Sequence, residues 1–323
     1  MLRASTAPKM TRPQATGRRR SLAPCLPLLL ISLGCASGSN GKDSGIPHDP
    51  NVMQVQRENL KHGPMGPLLT TLDAEVQTWN SLSLSADTDQ KRRQVVILEQ
   101  SLEYQATQRL DDLIAELQSR SVFNRMVAAV VLGFSDNEKA LGPLVAALDD
   151  PSPDVEANVL LGLGILAHKD TPPELLEERL LHSSSAAARG NAALALRKII
   201  EAGATSETVL KTARAGLIDN QPSVRSQCAI LLASKLDTES IDNLEVLLHD
   251  EIPLVALAAA RSLAYIGSKV PESKGDCARA LTQSLDDLSP GVKEGILRTL
   301  MRLSRSNYGD DAEAWNEWAS RLP

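Results

Sequence analysis

The residues able to do chemistry are few and widely spaced. Five histidines and four cysteines are spread over 323 residues. His182 and His249 each stand one residue after a leucine, a matched pair that could ligate a metal if the fold brought both within about 2 Å of it. Cys228 and Cys277 could form a disulfide if their Cα atoms came within about 4.4–6.8 Å. Gly162-Leu163-Gly164 is the kind of glycine pair that lets a backbone approach a phosphate, and Trp315 with Trp318 offers two rings to a partner. Which of these meet depends on the elements that carry them.

Those elements read as helices. Aromatics are 2% of the chain, and Ala, Leu, Glu, Arg and Lys recur without the apolar–polar alternation of half-buried strands. The stretch LDDPSPDV at 148–155 returns as LDDLSPGV at 285–292. Aligning on its leucine reveals six copies, at Leu117, Leu148, Leu181, Leu217, Leu248 and Leu285. Proline follows five residues later in four copies (Pro153, Pro222, Pro253, Pro290), and valine seven later in the same four (Val155, Val224, Val255, Val292). Leucine follows fifteen later in all six: Leu132, Leu163, Leu196, Leu232, Leu263 and Leu300. The anchor leucine closes one helix, a polar turn breaks it, and proline presets the start of the next. The valine and the later leucine share one face of that second helix, so each pair has an apolar stripe that only a neighbouring pair can cover. The fold class is therefore all-α, an α-solenoid of about six helix pairs, with residues 119–305 as the repeats.

Arrays need covered ends. Residues 68–118 read as an N-terminal helical cap plus the first helix of repeat 1, with Val95, Leu98, Leu102, Leu110, Leu113 and Leu117 at helical spacing. Residues 306–323 read as a C-terminal capping helix. There Trp315 and Trp318 share a face, and the cap is favoured over an aromatic contact for a partner.

Residues 1–34 read as a signal peptide, with a basic Arg18-Arg19-Arg20 and an apolar run too short and too proline-broken for a membrane span of about 20 residues. The run ends in ISLGC, which is similar to the lipobox of bacterial lipoproteins. That resemblance implies lipidation at Cys35 and an exported, membrane-anchored protein of the cell envelope. Residues 35–67, rich in Gly, Ser, Pro, Asp and Asn, form a flexible tether with a reach of roughly 25–35 Å. Removing the signal takes away six of the 34 basic residues and no acid; against 40 acids the net charge becomes −12. Such a chain repels nucleic acid, and no basic patch is visible along it.

The repeat pattern resembles the HEAT repeat, in particular the short bacterial kind related to phycobilin-lyase repeats. That family carries an Asp in the turn and an Arg six residues later, forming a ladder between repeats. Asp219 with Arg225 and Asp287 with Lys293 match, whereas Glu156 follows Asp150 and Ala256 follows Asp250.

In this frame the chemistry recedes. His182 and His249 are separated by a whole repeat and cannot share a metal. Cys228 and Cys277 lie two repeats apart and read as buried packing residues. Gly162 and Gly164 fall inside a helix, with no strand before them. Deoxyhypusine hydroxylases, similar in architecture, hold iron with His-Glu pairs, and this chain contains no His-Glu dipeptide. No catalytic residue, metal site or cofactor is expected. Binding candidates are Trp315, Trp318 and Arg197, the last standing sixteen residues after its anchor leucine. The reading is a non-catalytic scaffold or adaptor for another envelope protein, with no nucleic-acid partner. A cryptic lyase or metal-dependent hydroxylase, and a structural spacer, are the alternatives.

Overall fold

The computed structural model describes residues 63–85, 88–286 and 288–323. The signal segment, Cys35, nearly all of the tether and Asp287 lie outside the described residues. Among the described residues there are fifteen α-helices and no strand. A hairpin of α1 (Met65–Leu84) and α2 (Asp89–Gln108) comes first. Six pairs follow: α3 (Leu110–Glu116) with α4 (Val122–Gly133), α5 (Leu141–Ala146) with α6 (Pro153–Leu166), and α7 (Pro173–His182) with α8 (Ala186–Glu201). Then come α9 (Val209–Gly216) with α10 (Pro222–Ser234), α11 (Ile241–Val246) with α12 (Pro253–Lys269), and α13 (Lys274–Gln283) with α14 (Pro290–Ser304). The last helix is α15 (Ala312–Ser320). The chain is an α-solenoid: each second helix packs on the second helices before and after it and on its own first helix.

Local chemistry sets the boundaries. Proline opens α6, α10, α12 and α14, where its missing N–H costs nothing. Ser121 and Ser185 cap α4 and α8 by accepting from the amides of Asn124 and Ala188. The first helix begins at Met65, inside the span read as tether, because Pro67 falls in its first turn, where a helix tolerates proline. All six repeat leucines, Leu132, Leu163, Leu196, Leu232, Leu263 and Leu300, are 0% exposed. The second helices pack very closely near the N-terminal end: a Cβ on Gly162 would sit 2.2 Å from the Ala129 carbonyl oxygen, and one on Gly133 would sit 2.5 Å from that of Gly162. Small residues here decide how near α4 and α6 can come.

The polar ladder runs between repeats, as the resemblance implies, and it also uses Asp150 and Asp250, which have no Arg six residues later. Arg225 gives Asp219 only a hydrogen bond to its backbone carbonyl, at 2.8 Å, and forms its bidentate pair with Asp250 in the next repeat, at 2.7 and 2.8 Å. Arg125 does the same with the Ser119 carbonyl and Asp150, and Arg189 with the Ser183 carbonyl and Asp219. Each Asp also accepts from the amide two residues on, at Ser152, Gln221 and Ile252, so one carboxylate shapes the turn and joins two repeats. Between the second and third repeats the roles change but the geometry does not: Glu156 accepts from the Ser183 hydroxyl at 3.0 Å, and Ser183 accepts from the Ser185 amide. The position that looked like a break is an alternative rung. Lys293 stands 3.9 Å from Asp286, and its suggested partner Asp287 is outside the described residues.

A double-mutant cycle checks this pairing. Arg225→Ala with Asp250→Ala should show a coupling of about 1–3 kcal/mol, as expected for a bidentate pair largely shielded from water. Arg225→Ala with Asp219→Ala should show less than about 0.5 kcal/mol, since that contact uses the backbone. Equal couplings measured by urea unfolding would mean the inter-repeat assignment is wrong.

Candidate functional site

The residues singled out as candidates do not converge. His182 at the end of α7 and His249 in the 3-10 turn after α11 are exposed in different repeats, and His168 lies beside Asp170, its Nδ1 3.9 Å from the carboxylate. Among the described residues no group of three His, Cys, Asp or Glu is placed to hold a metal. Cys228 and Cys277 are free and buried. Burial raises both thiols, with help from the charge of Asp219 at Cys228 and of Asp276 at Cys277, the latter pushed up to about 12. Such thiols are poor nucleophiles. No helix among the described residues is long and apolar enough to cross a membrane.

Trp315 is wholly buried: its Nε1 donates to the Gly309 carbonyl at 3.0 Å, and its ring meets Tyr308 and Trp318 edge-on. It presents nothing to a partner, and Trp318 is half-buried beside it. These rings sit on α15, which packs on α13. Arg197 is 9% exposed and is held by Glu201 at 2.7 Å, leaving little of it to reach a ligand.

What remains is the free side of the second-helix row, which in a solenoid lines the concave face. Two positions of every repeat lie on that side, thirteen and seventeen residues after the anchor leucine, one helical turn apart. In the first three repeats they are Val130 and Phe134, Leu161 and Ile165, Leu194 and Lys198. Val130, Leu161, Leu194 and Phe134 are buried. The α1–α2 hairpin lies over this part. Trp79 stacks edge-on against Phe134 at 5.1 Å and donates to Glu99 at 3.1 Å. The Glu99 carboxyl is raised by burial, opposed by the Trp79 hydrogen bond and by the charge of Lys198 on α8. The hairpin therefore reaches from the end of α4 toward the end of α8.

Beyond the hairpin the surface changes character. Ile230 is half-buried, and then the two positions become Arg261 and Tyr265 on α12, Arg298 and Arg302 on α14, all exposed. Two neighbouring helices thus present a two-by-two array of three guanidiniums and one phenol ring. Among the described residues Arg261 and Arg302 have no ion-pair partner, while Arg298 has Glu294 at 3.4 Å. Lys269 lies 5.8 Å from the Tyr265 ring centre and adds a fourth positive charge. Partial removal from water and the charges of Arg302 and Arg298 hold the Arg261 guanidinium below its ordinary value. The ladder arginines Arg125, Arg189 and Arg225 are each neutralised by an Asp; here like charges face each other. A surface of like positive charges attracts anions.

This basic surface is local and is not visible along the sequence. The residues are far apart in the sequence, and only the repeat register aligns them. Arg261 and Arg298 hold the same position in successive repeats, which was the signal available.

Residues 110–205 match the family model for HEAT repeats. No curated protein matches the chain. Among solved structures, an engineered protein is 20% identical, with 64% of this chain and 98% of that chain covered at a TM-score of 0.42. The complex of CpcE and CpcF of phycocyanin lyase from Nostoc sp. PCC7120 is 19% identical, covering 65% and 93% at 0.40. Human deoxyhypusine hydroxylase in complex with glycerol is 19% identical, covering 79% and 97% at 0.36.

Proposed function

We propose that this HEAT-repeat solenoid is a non-catalytic scaffold or adaptor that grips another protein of the bacterial cell envelope on the open half of its inner face. The observation that carries the reading is the contrast along that face. In repeats one and two the two positions on it are apolar and the α1–α2 hairpin packs on α4, whereas repeats five and six expose Arg261, Tyr265, Arg298 and Arg302 with one weak internal partner. Charges used for folding are paired, as the ladder is; unpaired charges on an inward face are available to a ligand. The envelope location rests on the sequence, where Cys35 would carry the lipid and residues 36–64, ahead of α1, would act as the spacer. The acidic mature chain fits a protein partner better than nucleic acid.

A crosslinked pull-down from solubilised envelopes tests this reading, comparing native protein with Cys35→Ala. A specific envelope protein should co-purify with the native chain and be lost from the released variant. Absence of any enriched protein from both samples would overturn the adaptor reading.

A further inference from the structure

We propose that Arg261, Tyr265, Arg298 and Arg302 dock an extended acidic segment of the partner, one with carboxylates at alternate positions. The proposal rests on the scaffold reading and adds the chemistry of what is gripped. Arg261 and Arg298 stand on adjacent helices, whose axes lie about 8–10 Å apart, and Arg298 and Arg302 are one turn apart, about 5–6 Å between Cβ atoms. Side chains two residues apart on an extended strand are separated by roughly 6.5–7 Å, so the flexible guanidinium stems can meet successive carboxylates on one side of such a segment. Guanidinium forks suit carboxylates bidentately, and this chain uses that pairing three times in its own ladder.

The exposed Tyr265 ring completes the square. With Lys269 over its ring, it offers its remaining exposed apolar surface to the residue between two acids, and its hydroxyl can donate to a carboxylate. A long polyanion fits worse. The array spans only two repeats, and the whole chain carries a net charge of −6 even with its signal segment, which repels nucleic acid extending beyond the patch.

The experiment uses the Cys35→Ala chain and a fluorescein-labelled decapeptide of alternating Glu and Thr, read by anisotropy at low and physiological salt. The peptide should bind, and the same peptide with Gln for Glu should not. Arg261→Gln and Arg298→Gln should each weaken binding about tenfold, the order expected for a charge-assisted contact, while Lys139→Gln on a distant turn leaves it unchanged. The charge-reversed pair Arg261→Glu, Arg298→Glu should lose the acidic peptide and gain a Lys–Thr peptide, a gain that an unfolded protein would not show. Equal binding by native and substituted chains, or no binding of the acidic peptide, would overturn the proposal. So would tighter binding of a single-stranded DNA decamer or of phosphatidylglycerol vesicles. If the acidic peptide is ignored but the envelope partner is still captured, this inference fails and the scaffold reading stands. If the peptide binds but no partner is captured, the reverse holds.

Discussion

Replacing Trp315 with alanine should cost about 3–5 kcal/mol, the range for removing a large aromatic from a core. The indole is 0% exposed, contacts Tyr308 and Trp318 edge-on, and uses its N–H on the Gly309 carbonyl, so the change removes packing and strands a carbonyl together. Its place gives the loss a direction. A repeat array is held by nearest-neighbour interfaces, and α15 packs on α13 in the last repeat described. Urea unfolding should show the destabilisation, and hydrogen exchange should show α13, α14 and α15 opening before α6 and α8. A loss below about 0.5 kcal/mol, that of an ordinary surface site, would mean that α15 does not serve as a cap.

Leu232→Ala and Leu263→Ala should each cost about 2–5 kcal/mol. Both leucines are 0% exposed, in α10 and α12, and each belongs to the continuous core that links the repeats. Because they sit in the interior of the array, the damage should split it: α10 and α12 lose protection while the tightly packed α6–α8 region keeps its own. Matching losses at both positions test the repeat frame itself, since a shifted register would leave at least one on the surface. Melting curves unchanged for both variants would refute the frame.

The frame was legible because it is periodic. Six leucines fifteen residues past six others can share one environment only if the chain repeats its geometry, and proline at the same offset fixes where the second helix begins. The helix at Ala312–Ser320 was legible in part, since two tryptophans three residues apart share one helical face. The ladder was harder to read. The resemblance implies an inter-repeat ladder of Asp and an Arg six residues later, but only the structure shows that this Arg holds its own turn by the backbone carbonyl and puts its fork on the Asp of the next repeat, so Asp150 and Asp250 serve as rungs without such an Arg. The Glu156 to Ser183 rung shows why residue type alone misleads: the geometry persists while donor and acceptor change sides.

The candidate site was the least legible part. Arg261, Arg298 and Arg302 are ordinary helix residues in sequence, and the net negative charge conceals them. Their meaning depends on which side of α12 and α14 is left uncovered, and that depends on where a hairpin some 150 residues earlier comes to rest. Trp79 against Phe134, and Glu99 under the influence of Lys198, place that hairpin over the first repeats. Arg197, sixteen residues after its anchor leucine, is buried and tied to Glu201, whereas Arg261, thirteen after its own, is exposed and free of any ion pair among the described residues.

The central claim is that a partner sits on the inner face of repeats five and six. The most direct measurement places a photo-crosslinking residue at Tyr265, and in a second chain at the exposed Asn243 on the first helix of the fifth repeat, irradiates intact envelopes and identifies the adducts by mass. The account predicts one discrete adduct from position 265, abolished by Arg261→Glu with Arg298→Glu, and none from position 243. Adducts of the same protein from position 243 alone, or from 265 regardless of the arginines, would contradict it.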